Sequence, residues 1–199
     1  MNGAPLAVWT VGHSNHPIER FVDLLVGAGI TAVAEVRSRP WSRRHPQYNR
    51  EALARSLKDA GVAYVFLGAE LGARAVDPAA WHDGRVDYER LAATAAFRSG
   101  IDRVEASAAS HRIALMCAER EPLDCHRTIL VSRHLAARGV AVTHLLADGR
   151  HEAHAETERR LLAKTGEAAD LLTEEADALA RAYTRRSREL AWSGEKPTK

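Results

Sequence analysis

The chain has 199 residues, of which 46% are hydrophobic and 27% charged. That is one domain's worth of ordinary globular composition, and it excludes wholesale disorder, collagen-like repeats and a disulfide scaffold. The 28 basic and 26 acidic residues leave a net charge of +2, too even to mark the whole chain as a nucleic-acid binder. Only four of the basic residues are lysines. The arginines therefore dominate, and their planar guanidinium grips phosphate and carboxylate bidentately where an ammonium cannot.

In chain order, the apolar run at residues 7–11, ending at Gly12, predicts a buried strand. Pro17 opens a helix whose Ile18, Phe21, Val22 and Leu25 share one face, and Gly29 stops it. Residues 31–36 predict a second strand. Asn49 is placed to cap a helix through Leu57, ended by Gly61, and residues 62–67 predict a third strand. Residues 68–86 have no clear period, so they are either a functional loop or hold elements that the pattern does not show. Two helices follow, at 88–97 and 100–110. Residues 112–117, with their continuous Ile113-Ala114-Leu115-Met116 run, form the plainest strand. A helix from about Asp124 to Arg138 stops at Gly139, and residues 140–146 predict a last strand before the Asp148-Gly149 turn.

Strands alternating with helices, the strands continuously apolar, imply a three-layer α/β/α domain with a mostly parallel sheet. We expect the α/β domain to span residues 5–150. A helical extension packs on it over residues 151–192, and a flexible tail follows over 193–199. Leu172, Ala176, Leu179 and Tyr183 share a helical face in the extension, expected to pack inward, with a homodimer through these helices left open.

Cys117 and Cys125 are the only cysteines, too few for an extracellular framework. The first ten residues lack a basic leader, and no stretch is apolar enough to span a membrane. A cytoplasmic location with free thiols is expected.

Ligands of open parallel sheets gather beyond the carboxyl ends of the strands. There the sequence sets His13 and Ser14, Arg37 and Arg39, then Glu119 and the run Cys125-His126-Arg127. A helix opening at Cys125 offers free amides and a positive field to an anion, and the same field lowers a thiol's pKa. Residues 37–50 carry five arginines, among them Arg43, and no acid, which leaves the rest of the chain at −3. Trp41 and Tyr48 interleave with those arginines, a pattern suited to phosphate contact plus base stacking. The cysteines stand eight apart with no Cys-x-x-Cys. No cofactor or metal ligand is therefore assigned, and a site built from Cys117, Cys125, His126 and His13 is the lesser reading. His151-x-x-His154 reads as a pair of surface histidines at a helix start.

Four segments together resemble domain-of-unknown-function family 488. They are Thr10-Val11-Gly12-His13-Ser14, Val36-Arg37-Ser38-Arg39-Pro40-Trp41-Ser42-Arg43, Leu67-Gly68-Ala69-Glu70-Leu71-Gly72-Ala73-Arg74 and the stretch from Ala114 to Arg127. The likeness runs from about residue 8 to about residue 163, and Cys125-His126-Arg127 is its most specific part. The resemblance implies a cytoplasmic α/β domain of unestablished activity, with a site grouping His13, Ser14, Arg37, Arg39, Glu70, Arg74, Cys117, Glu119, Cys125, His126 and Arg127. Two departures stand out. Glu35 replaces the family's aspartate before Val36-Arg37, and Ala73 replaces a glycine, so position 73 need not adopt a positive φ.

From these features we expect a site for a phosphate-bearing small molecule or nucleic acid. Arg37, Arg39 and Arg127 would hold the phosphate, His126 or His13 would move a proton, and Glu119 would orient a histidine or a water. Cys117 is a strand-end residue. Thiol or metal chemistry at Cys117, Cys125 and His126, or a non-catalytic nucleic-acid module using residues 37–50, are the alternatives.

Overall fold

A computed structural model describes residues 5–167 and 174–194; Leu172 of the predicted stripe and most of the predicted tail lie outside the described residues. The chain runs through β1 (Ala7–Gly12), α1 (Ile18–Gly27), β2 (Ala32–Glu35), α2 (Arg50–Asp59), β3 (Ala63–Phe66) and α3 (Gly68–Leu71). A hairpin of β4 (Trp81–His82) and β5 (Arg85–Val86) leads into α4 (Tyr88–Ala92), α5 (Ala95–Ala108) and β6 (Ile113–Cys117). A π-helical stretch (Arg127–Ser132) continues into α6 (Arg133–Ala137), and β7 (Ala141–Leu145), β8 (His151–Ala153), α7 (His154–Thr165) and α8 (Glu175–Leu190) complete it. The fold is the expected α/β sandwich. One six-stranded sheet runs β3-β2-β6-β1-β7-β8, parallel except for β8.

Strands β2 and β6 are buried along their whole length, which is why their sequences are apolar except at Glu35. Alternate residues serve opposite layers. Val11, Val33, Ala114 and Met116 pack with Phe21, Leu24 and Leu25 of α1 and Leu53 and Leu57 of α2. Val8, Ala34, Leu115 and Cys117 face the other way, toward Phe97, Ile101 and Val104 of α5 and Leu130 and Leu135. At about 1.5–3 kcal/mol for each large apolar side chain fully buried, these two faces rather than helix propensity hold the short helices in place.

Several local expectations are revised. Residues 68–86 are not one loop; they hold α3 and a hairpin whose Asp83 and Gly84 both have positive φ, as a two-residue turn of that hand requires. The predicted pair of helices is re-divided at Thr94, whose hydroxyl caps Phe97 N–H. Asn49 precedes α2 but makes no side-chain cap; its Oδ1 accepts from Ser42 N–H. Three residues of antiparallel β8 precede α7 where the helical period is expected to begin at His151. His151 is exposed as expected, whereas His154 is buried. It sits in a polar chain joining Thr10 Oγ1, His144, His154 and Tyr183 at 2.8, 3.0 and 3.1 Å. Ala178, Ala182 and Tyr183 bury the inner face of α8.

Candidate functional site

A cavity of about 280 Å³ opens beyond the carboxyl ends of β2 and β6. Its lining includes Arg39, Arg74, Cys117, Glu119, Cys125 and His126. Three strand-end segments meet here because close backbone approach is possible at glycines. A Cβ at Gly12 would stand 1.8 Å from the Glu119 carbonyl oxygen, and one at Gly72 2.3 Å from Ser38 Oγ. The second approach lets Arg74 N–H donate to Ser38 Oγ at 2.9 Å, which sets Arg74 beside Arg39 on the cavity wall.

The floor is a compact group. The sulfurs of Cys117 and Cys125 both lie within hydrogen-bond reach of Glu119 Oε2, at 3.0 Å. His126 Nδ1 stands 3.7 Å from the Cys117 sulfur and 4.0 Å from that of Cys125. Its Nε2 lies 3.0 Å from the Val36 carbonyl. A carbonyl only accepts, so Nε2 carries the hydrogen and, in the neutral ring, Nδ1 turns its lone pair to the sulfurs.

The two thiols are driven apart in acidity. Burial pushes the Cys117 thiol well up, aided by the neighbouring Cys125 and Glu119. Burial also opposes ionisation of Cys125. There, however, the hydrogen bond from Cys117, the charge of Arg127 and the contact with His126 prevail and hold its pKa well below the ordinary thiol value. The Arg127 N–H adds a 3.4 Å contact to the same sulfur. Burial and the Cys125 charge raise Glu119. The expected helix-end field is not the main cause, because Cys125 is extended and the π-helical stretch begins only at Arg127.

Arg37 and Arg127 both make hydrogen bonds within the protein. Arg37 also lines the cavity, but it is only 7% exposed and three of its N–H groups are engaged inside the protein. Nε binds Glu35, Nη1 donates to His13 Nε2 at 3.1 Å, and Nη2 to the Tyr48 carbonyl at 2.6 Å. Arg127 is fully buried and holds the carbonyls of Glu119 and Arg120 at 2.6 and 3.3 Å. It makes no ion pair among the described residues, so its charge lies bare beneath Cys125. His13 is stacked on Tyr48 at 4.0 Å, and burial with the charge of Arg37 brings its pKa down to about 3. It is neutral and locked, which does not suit the acid–base role expected for it.

Among the other predicted residues, Ser14 hydrogen-bonds Asn15 outside the cavity, and Glu70 pairs with Arg103 of α5. Trp41 and Arg43 lie exposed on the basic loop, with Trp41 at 67%. Tyr48 is buried, so it offers no stacking surface. Sequence reasoning missed Ser38, Tyr88 and Trp192 on the lining. Trp192 returns from the far end of the chain: its carbonyl accepts from Val86 N–H at 3.0 Å, its ring meets Trp81 edge-on, and Arg74 lies 5.4 Å above it. No local signal marked it.

A family model described as a domain of unknown function, DUF488, matches residues 17–134. The chain belongs to the DUF488 family. The match contains β2, β6 and the whole cavity floor, while the α7–α8 extension and Trp192 lie beyond it. Neither the curated proteins nor the solved structures searched gave a match. No helix among the described residues is long and apolar enough to cross a membrane.

Proposed function

We propose that this DUF488 protein binds a small phosphate-bearing molecule, or the end of a nucleic acid, in the cavity between Arg39 and Arg74 and acts on it at the floor. One observation carries the reading. Two guanidiniums that make no ion pair among the described residues stand on the wall of a small cavity whose floor is a sulfur–carboxylate–imidazole group. Arginine is the side chain suited to planar, bidentate recognition of phosphate. Arg37 and Arg127 shape the site rather than touch the anion. Glu119, its carboxyl held protonated to higher pH than usual, is the proton-transfer group beside the substrate.

A polynucleotide end is favoured over free phosphate by the exposed Trp41, which lies between Arg39 and the exposed Arg43 and Arg44. The test is titration of the protein with inorganic phosphate and with a 5′-phosphorylated oligonucleotide, read by tryptophan fluorescence. Arg39→Gln and Arg74→Gln should each weaken binding of both probes by about tenfold or more, at roughly 1.5–3 kcal/mol for a charge-assisted hydrogen bond. Trp41→Ala should weaken only the oligonucleotide. Unchanged affinity in both arginine variants would remove the reading. Oligonucleotide binding that depends on Trp41 and Arg43 alone, with a steep salt response, would favour a non-catalytic module.

A further inference from the structure

We propose that Cys117, Cys125 and His126 form a zinc(II) site, with its fourth coordination position turned toward Glu119 and the cavity. This goes beyond the anion-binding reading and stands without it. The ligand atoms of the three residues lie within 4.8 Å of one another. In a tetrahedral site, Zn–S bonds of about 2.3 Å and Zn–N bonds of about 2.0–2.1 Å give S···N edges of about 3.6 Å. The observed Sγ–Nδ1 separations are 3.7 and 4.0 Å, so closing on an ion needs shifts of only a few tenths of an ångström.

The surroundings match a metal site in a second way. Ligating histidines nearly always donate their other ring N–H to a carbonyl or carboxylate, which fixes the tautomer. His126 does this through Nε2 to the Val36 carbonyl. That carbonyl lies past the end of β2, at the same rim as Cys117, and Val36 N–H is itself tied to the Met116 carbonyl at 3.0 Å. The ligands are thus held by strand ends and by the turn into the π-helical stretch. A pair of packed core thiols would give the same burial, but it needs neither a carboxylate touching both sulfurs nor an imidazole nitrogen within 4.0 Å of each.

Two thiolates and one imidazole select a soft or borderline ion over magnesium or calcium. Glu119 Oε2, at 3.0 Å from both sulfurs, lies closer than the roughly 3.6 Å edge of a fourth ligand. It therefore moves back when the ion enters and borders the open position. The eight-residue separation of the cysteines hid this arrangement in the sequence, because the 3₁₀ turn at Pro122–Asp124 folds the second cysteine back over the first.

The experiment uses the full chain stripped with a chelator, shown still folded by circular dichroism, and titrated with zinc against a chromophoric chelator. It is then loaded with cobalt(II) for spectroscopy. The expected result is one zinc per chain and a thiolate-to-cobalt charge-transfer band. Cys117→Ser, Cys125→Ser and His126→Ala should each weaken zinc at least about a hundredfold, beyond the loss typical of outer partners. Folded wild-type protein that takes up no stoichiometric zinc overturns the proposal, as does a folded Cys117→Ser/Cys125→Ser double variant that binds zinc as tightly as wild type. Arg39→Gln and Arg74→Gln should retain zinc. Lost phosphate binding with zinc intact would therefore count against the anion site alone, and lost zinc with phosphate binding intact against the metal site alone.

Discussion

Two polar clusters meet at the same sheet edge, and Arg37 of the first also lines the cavity of the second. On the α1–α2 side, Glu35, Arg37, His13, Tyr48 and Tyr64 close on one another. Arg37 satisfies Glu35, His13 and the Tyr48 carbonyl, and the Tyr64 hydroxyl donates to the second oxygen of Glu35. On the other side, Cys117, Cys125, His126 and Glu119 line a cavity, with a carboxylate bridging two sulfurs and an imidazole nitrogen beside them. The residue types are equally chemical in both clusters. What separates them is completion: one network pairs its charged groups with each other, and the other still offers ligand atoms to an incoming group. A buried charge is therefore evidence of function only after its partners have been counted.

The largest expected effect falls on the closed cluster. Glu35→Leu strands a buried guanidinium and should destabilise by about 3–5 kcal/mol, measured by urea unfolding. The double variant Glu35→Leu/Arg37→Met removes both charges and should recover a large part of that loss. If it is instead the least stable of the set, the cluster is not a self-compensating pair.

The next effect is a pH dependence. His13 titrates near 6.5 when unfolded and at about 3 when folded. The unfolded chain therefore binds the extra proton first, so stability is full above about pH 6.5 and falls as the pH drops toward 3. The slope approaches about 1.4 kcal/mol per pH unit from this group. His13→Gln should flatten the unfolding free energy between pH 6 and 5, where most carboxylates stay ionised. An unchanged slope would show that His13 is not held neutral. His144 and His154 are lowered by burial too and add slope of the same sign.

The smallest stability effects belong to the open cluster. Arg39→Gln and Arg74→Gln, both at exposed positions, should change stability by no more than about 0.5 kcal/mol while weakening the anion. Glu119→Gln should leave the unfolding midpoint near that of wild type, yet abolish any proton-dependent turnover. A large loss of stability in Glu119→Gln would move this residue to the structural side of the comparison.

Much of this was legible in the sequence. Continuous apolar runs announced the five parallel strands, and the strand-end rule gathered Arg37, Arg39, Cys117, Glu119, Cys125 and His126 at one rim. Strand alternation even separates Glu35 from Cys117. The direction a long guanidinium takes is not written in its position, which is why the inward hydrogen bonds of Arg37 and Arg127 were not legible. His154 read as a surface residue because its partners Thr10, His144 and Tyr183 come from three distant segments. Trp192 was invisible for the same reason: only folding brings it back over the β4–β5 hairpin.

The most direct test of the account is a crystal structure grown with tungstate, a phosphate mimic located by its anomalous scattering. The account predicts one tungstate within hydrogen-bond reach of Arg39 and Arg74, above Glu119, with Arg37 still bound to Glu35. A tungstate seated only on the Arg43–Arg44 loop, or held by Arg37 and Arg127 together, would contradict it.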